Sequence, residues 1–502
     1  MPGSPGFATV PLFGRGFTAK SPAVTDQLLI NVYREPQGDP DKTSMALYGT
    51  PGLQYVTNFP LSGIPSVGWA DLPIRGMRRV GNYIWFVVGS STPNPITGGG
   101  FSAVLYMDGA GTIVVLGSST AMLTKSGRVG MSDNGTQIII VDGTAGYIIP
   151  INTLGAPTGA MTQIAAAGFP NGATTVDFLN GYFICDNPNA TPQGRFNWST
   201  QYDGTLWAAL DFATAESNPD ALIHIMVNFG QLFLFGNVTT EIWAPSGDTA
   251  IFRRVGAAGV EWGLAAKWTV DKYANNTLIF LGKNKLGQCQ LGVLDGYTFK
   301  PITDPDVTKD INSRQVASAT GFAYSLDSHT FYELNFPDKS YLYDDLSDSF
   351  SQLISNGGRH LGEMRAELNG VTYIADYAVG QVYRLRGDYY TDYNYPIINS
   401  IQTKHVFADY NPVAINELYV DCEFGDGLDG GVQGSNPQIM LQWSKDGGRT
   451  FGNEIWKTMG ALGAYGARTW WQNLGIAKDW VFRFAVSDPV KLVITGAGVR
   501  VS

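Results

Sequence analysis

Asn134-Gly135-Thr136-Gln137-Ile138-Ile139-Ile140-Val141-Asp142-Gly143 reads as a turn, a short strand without a charge, and a second turn. Asn-Gly is the favoured pair for a two-residue type I′ hairpin turn, because both positions need a positive φ. The run Ile138 to Val141 is apolar at every position. A strand that exposes one face alternates, so a continuous apolar run predicts burial on both faces. The same unit recurs: Gly81-Asn82 before Tyr83 to Val88, Asn180-Gly181 before Tyr182 to Cys185, and Phe229-Gly230 before Gln231 to Phe235. It recurs again at Asn275-Asn276 before Thr277 to Leu281, at Ser328-His329 before Thr330 to Leu334, and at Asn369-Gly370 before Val371 to Ala375. Anchored on the turns, the units start near 82, 134, 180, 229, 276, 328 and 369.

A spacing of about 41 to 52 residues is the size of one four-stranded propeller blade. Most anchors are followed by a second hairpin with its own turn, as at Asp108-Gly109, Asp203-Gly204, Asp295-Gly296 and Tyr343-Asp344. A series of sandwich strands is the competing reading, and six similar gaps weigh against it. The fold read from these patterns is all-β: a β-propeller of six or seven blades over residues 31–392. An N-terminal arm, 1–30, precedes it, either wrapping a neighbouring subunit or disordered. From 393 the pattern changes. Glu417-Leu418-Tyr419-Val420-Asp421-Cys422-Glu423-Phe424 alternates apolar against acidic residues, as a half-buried strand does. With Gln438 to Ser444, Trp480 to Val486 and Val490 to Ile494, five or six strands predict a C-terminal antiparallel β-sandwich over 393–502.

Composition agrees. Of 502 residues only 15% are charged, against a usual share of roughly 25%. Sixty-one glycines and 12% aromatics suit short strands and tight turns. The net charge of −10 argues against a protein that grips phosphates, which needs a basic patch. It leaves open a channel wall along which DNA slides; the plainer reading is solubility. Cys185, Cys289 and Cys422 are isolated, which predicts reduced thiols and synthesis in a reducing cytosol. No run of 18 apolar residues predicts a membrane span, and the first residues lack the pattern of a signal peptide.

Catalytic patterns are missing from the sequence. The four histidines, His224, His329, His360 and His405, are scattered and form no metal-ligand spacing. Glu216, Asp220 and Glu241 are carboxylates without a reason to pair. Asp426-Gly427-Leu428-Asp429-Gly430 offers alternate oxygens for a hard cation but misses the EF-hand spacing, so a solvated loop is preferred. Arg75, Arg78 and Arg79 form the densest basic cluster. They, with Asp426 and Asp429, are candidates for contact with DNA or a neighbouring subunit, against a solvated strand edge. Ser444-Lys445-Asp446-Gly447-Gly448-Arg449-Thr450-Phe451 resembles the Asp-box of sialidases and related propellers. Ser444, Asp446, Gly448, Thr450 and Phe451 are then a hairpin-turn device, structural and not catalytic. That box and the tyrosines 389, 390, 393 and 395 support an alternative function, a carbohydrate-binding or sialidase-like propeller.

A wider resemblance runs from about 31 to 495. Asn31-Val32-Tyr33 and Ala46-Leu47-Tyr48-Gly49-Thr50-Pro51-Gly52-Leu53 open it. Gly127 to Gln137, Val141 to Tyr147, Phe178 to Phe183, Trp207 to Glu216 and Leu234-Phe235-Gly236 with Thr240 to Trp243 follow in order. Gln442 to Phe451 and Ser487-Asp488-Pro489-Val490 complete it. These resemble the packaged-DNA stabilisation proteins of short-tailed phages, also called tail hub or nozzle proteins. The resemblance implies a structural component of the virion tail, assembled in the host cytoplasm. It implies a homohexameric ring below the portal and its adaptor, extending the DNA exit channel and helping to retain packaged DNA. The implied partners are the portal-adaptor protein, a tail needle or fibre, and DNA passing without sequence-specific binding. It implies no catalytic residue, no cofactor and no metal. The loops 425–436 and 90–100 look longer than the family pattern.

Overall fold

Each anchor turn opens the second strand of a four-stranded sheet, and seven such sheets close into a ring. The computed structural model describes residues 6–501, except 15, 18–20, 22, 25–26, 39–42, 59–71, 92–99, 117–121, 216–219, 249, 257–258 and 409–410. Blade one is Ile74–Val80, Tyr83–Ser90, Phe101–Met107 and Ile113–Val115. Blades two, three and four open at Gly130–Asp133, Val176–Leu179 and Leu222–Asn228. In blade five Gly263–Leu264 and Asp271–Lys272 share one edge of Leu278–Lys283. Blade six runs from Thr320–Leu326 to Ser349–Ser355, and blade seven opens at Gly362–Leu368. The turns obey the φ rule by several residue types. Asn180-Gly181, Phe229-Gly230, Asn275-Asn276, Asp327-Ser328 and Asn369-Gly370 have positive φ at both positions.

The continuous apolar runs have a simple cause. In Gln137–Val141, Ile138 and Ile140 pack with Trp85 and Val87 of blade one, while Ile139 and Val141 pack with Phe183 and Cys185 of blade three. Blade four repeats this: Leu232 and Leu234 face blade three, and Phe233 and Phe235 face blade five. Successive side chains point to opposite faces, and each face has a neighbouring blade. Every such side chain is worth about 1.5–3 kcal/mol of burial.

Blade seven takes its fourth strand from the N-terminal side. Gly52–Asn58 pairs antiparallel with Gln381–Arg386, with Leu53 opposite Leu385. The ring therefore begins at 52, and the expected boundaries at 30/31 and 392/393 are crossed by pairing. Val32–Pro36 and Met45–Gly49 form a hairpin that joins the C-terminal sandwich, Leu47 opposite Ile494. Among its described residues, the arm expected over 1–30 is folded against the rest of the chain. Gly6–Thr9 pairs with the last strand, Val493–Val501, and Val10 and Leu12 lie in the sandwich core. Short apolar strands look alike in sequence whichever sheet receives them, so only long-range pairing tells them apart.

In the sandwich one sheet is Val32–Pro36, Met45–Gly49, Val493–Val501, Val413–Cys422 and Thr469–Ala477, with Gly6–Thr9 alongside. The other is Asn399–Gln402, Val481–Val486, Gln438–Ser444 and Ile455–Thr458. Seven C-terminal strands thus replace the five or six expected. Leu418, Ile439, Leu441, Trp471, Trp480, Phe482 and Val499 fill the space between the sheets. The second sheet does not stop at the domain. Leu28–Ile30 pairs antiparallel with Asn399–Gln402 and parallel with blade six at Ile30 and Gln352, so one ten-stranded sheet spans propeller and sandwich. One α-helix, Pro305–Asn312, precedes blade six, with Asp304 capping the amides of Asp306 and Val307. Among the described residues no helix is long and apolar enough to cross a membrane. The three cysteines are buried free thiols.

Candidate functional site

The junction of propeller and sandwich concentrates the buried ionisable groups. Asn31, at φ 54°, follows the suturing strand. Its side chain donates to the carbonyls of Ile354 (2.9 Å) and Ile398 (3.1 Å) and accepts from the amide of Ile354 (2.8 Å). Four residues on, Glu35 reaches His329 of blade six. His329 Nε2 lies 2.7 Å from Glu35 Oε2 and Nδ1 2.9 Å from Asp344 Oδ1. The ring stacks on Phe331 at 5.2 Å and meets Tyr33 edge-on. A second buried histidine, His360, lies 2.9 Å from Glu333 and 4.0 Å from Asp392. These partners are up to about 300 residues apart in sequence, and only a histidine beside a turn hinted at them.

The histidines carry opposite pH signatures. Burial pulls His329 down, but its hydrogen bonds to Asp344 and Glu35 outweigh that and leave the pKa raised. A raised folded value means stabilisation that is complete below about 6.5, the unfolded value, and fades as pH rises through the folded value. His224 is the reverse. Burial, then the charges of Lys267 and Arg128, lower it to about 3. Its neutral state is lost only on unfolding, so stability drops as pH falls from 6.5 towards about 3, at about 1.4 kcal/mol per unit. Urea unfolding across this range is expected to show both slopes. His329→Leu should flatten the neutral-to-alkaline limb, and His224→Phe the acid limb.

The three arginines do not form one surface. Arg75 occupies a bulge between Ile74 and Gly76, and bulges re-aim side chains. It is 3% exposed. Its guanidinium donates to the carbonyls of Gly127 (2.7 Å), Thr124 (2.9 Å) and Ser126 (2.9 Å) and to the hydroxyls of Ser102 and Thr124. It is therefore a brace inside the chain, buried and bonded within it rather than set on an exposed strand edge. Arg78 crosses to blade two, 3.0 Å from Asp133 Oδ1 and bonded to the carbonyl of Met131. Arg79 alone is exposed, its Nε on the carbonyl of Gly81. Asp429 is exposed and Asp426 half-buried beside Lys491. Their loop folds on itself, the amide of Leu428 donating to the carbonyl of Gly434. Of the inserted-looking loop 90–100, residues 92–99 lie outside the described ones.

The Ser444–Phe451 segment closes the hairpin between Gln438–Ser444 and Ile455–Thr458. Asp446 Oδ1 accepts from Ser444 Oγ (2.6 Å) and from the amides of Arg449 (3.1 Å) and Thr450 (2.9 Å), and Oδ2 from Thr450 Oγ1 (2.6 Å). Gly447 and Gly448 have φ of 70° and 86°, and the amide of Gly448 donates to Ser444 Oγ (2.9 Å). Phe451 lies under the guanidinium of Arg483, 3.9 Å away. The bonds from Ser444 and Thr450 hold the Asp446 carboxyl far below its ordinary range. Asp446→Ala is expected to lower the Tm modestly and open this hairpin, read as faster trypsin cleavage at Lys445 or Arg449 without loss of the propeller.

No facing pair of acid groups emerges from the carboxylates singled out. Asp220 takes the amides of Asn237, Val238 and Thr239, and Glu241 is bonded by Trp243 Nε1 at 2.9 Å. Glu216 lies outside the described residues. Among the described residues no group of three or more His, Cys, Asp or Glu could hold a metal ion.

Comparison with known proteins gives two family matches. Residues 10–353 match the model described as bacteriophage P22 Gp10, β-propeller, and residues 399–502 that described as bacteriophage P22 Gp10, β-sandwich. No curated protein matches. Among solved structures, the chain is similar to the β-propeller domain of the trilobed protease from Pyrococcus furiosus. The identity is 10% and the TM-score 0.38, covering 64% of this chain and 96% of that one. It is also similar to the Pan2 WD40 domain of Neurospora crassa, at 9% identity and TM-score 0.40, covering 70% of this chain and 98% of that one. These likenesses bring no function to this chain.

Proposed function

Because the chain belongs to the bacteriophage P22 Gp10 family, across both its β-propeller and its β-sandwich, we propose that it acts as the hub of the tail. It is a structural phage tail protein. In this reading six copies form a ring below the portal and its adaptor, in the host cytoplasm. The ring extends the DNA exit channel and helps to hold packaged DNA. A tail needle or fibre closes it, DNA slides through without sequence reading, and the chain has no catalytic role.

The observation that carries the reading is the match of both domains, in order, to one family. Two features support it physically. A closed seven-bladed ring sutured to a sandwich by one continuous sheet is a stiff wall element, since closure leaves few free edges to slip. The outer face of the sandwich also shows an apolar row: Tyr419, 39% exposed, is the register partner of Trp470, 50% exposed, with Ile476 further along. Exposed rows of this kind favour assembly.

The test is the mass of the purified chain, alone and with the portal-adaptor complex, by light scattering with electron-microscope images. A six-fold ring near six times 54.2 kDa, free or docked, supports the hub. A monomer that ignores the complex overturns it. Trp470→Asp should weaken assembly while leaving the Tm in place.

A second reading, glycan binding, is favoured by one observation. Tyr377, Tyr393 and Tyr395 line a groove with Asn356, Arg359 and Gln381; Tyr377 and Tyr395 are partly exposed, with the Arg359 guanidinium 4.4 Å over the Tyr377 ring. Binding on a glycan array, abolished by Tyr377→Ala, would support it.

A further inference from the structure

The inner strands of the blades leave a cavity of about 170 Å³ on the propeller axis. Its polar wall comprises Arg78, Arg128, Thr175, Asp177, His224 and Trp268, and methionines from blades one, two, four and seven supply the apolar wall. Some of the polar groups are satisfied. Asp177 accepts from the amides of Phe178 (2.9 Å) and Val227 (2.7 Å), and Arg78 is held by Asp133. Three groups are not: among the described residues Arg128 Nη1, Thr175 Oγ1 and His224 Nδ1 have no hydrogen-bond partner. Thr175 is 1% exposed and His224 8%. They come from blades three and four, and Arg128 from the lead-in to blade two.

Buried donors without partners cost about 1–3 kcal/mol each, and natural interiors rarely carry three together unless water, an ion or a ligand completes them. The charge balance says which. Arg128 Nη1 lies 3.9 Å from Glu363 Oε1, and Glu363 is itself taken by Arg359 at 3.0 Å. Arg128, its side chain 20% exposed but its Nη1 buried, is thus only partly neutralised. Its guanidinium lies 5.0 Å over Trp268, whose ring meets His224 edge-on at 5.6 Å. A guanidinium, a hydroxyl and a neutral imidazole together suit oxygens that carry negative charge. A neighbouring depression shares Arg128 and Met364 with the cavity.

We propose that the propeller axis is a binding site for a small oxyanion, a phosphate or a short-chain carboxylate, held by Arg128, Thr175 and His224. Nothing in this depends on the hub reading. The test uses the full chain, with inorganic phosphate and butyrate as separate probes, titrated by isothermal calorimetry. Thr175→Val keeps the shape and removes an unpartnered hydroxyl, so it should fold as the parent does; Arg128→Met is the second variant. Saturable binding of one probe, weakened about tenfold or more by Thr175→Val, is expected, and which probe binds names the source. A structure with the bound probe should place its oxygens against Arg128 and Thr175. Binding that survives both variants, or a cavity holding water alone with neither probe binding the folded chain, overturns the proposal.

Discussion

Leu53→Asp is expected to unfold the propeller as a unit, with a loss of well over the 2–5 kcal/mol typical of a core leucine truncated to alanine. Leu53 is fully buried in the strand that closes the ring. It packs with Phe322, Tyr324, Phe331 and Leu342 of blade six and Ile374, Tyr383 and Leu385 of blade seven. The carboxylate would lose water and find no cation in that cluster, which adds a charge-burial penalty to the cavity. The damage is also topological. Gly52–Asn58 is the one strand of blade seven drawn from the other side of the chain, so weakening it opens the ring between its first and last blades. Calorimetry on Leu53→Asp, Leu53→Ala and the exposed control Leu286→Asp is the measurement. The expected order of loss is Asp above Ala at 53, with the control within about 0.5 kcal/mol of the parent.

The second large effect belongs to Arg75. Arg75→Met is expected to cost about 1–3 kcal/mol or more, the range for leaving buried neutral acceptors without their donor. Five acceptors converge on this guanidinium from segments 102 and 124–127. Methionine fills part of the space and satisfies none of them. Arg75→Lys keeps the charge but has no planar fork, so it should recover only part of the loss. Arg79→Ala, at the exposed end of the same strand, should stay within about 0.5 kcal/mol. Denaturant unfolding of the three variants separates a brace from a surface contact. If Arg75 held DNA instead, Arg75→Met would keep its Tm and change the salt dependence of DNA binding.

The repeat was legible because its cause is local. A two-residue turn needs positive φ, and Asn-Gly supplies it at 180–181 and 369–370. A strand between two blades needs apolar side chains on both faces, as Ile138 to Val141 show. Both requirements write themselves into neighbouring residues. So do the Asp446 turn, whose bonds all span four residues or fewer, and the order of motifs that marks the family. Tertiary structure alone decided the rest. The count of seven blades depended on Gly52–Asn58 finding Gln381–Arg386. The reach of the sandwich depended on the hairpin at 32–49 finding Val493–Val501. The inward turn of Arg75, the Glu35–His329–Asp344 link and the axial group of Arg128, Thr175 and His224 each join residues tens to hundreds of positions apart. Pairing partners at such distances are chosen by shape, charge and burial in the folded chain, and local periodicity carries no record of that choice.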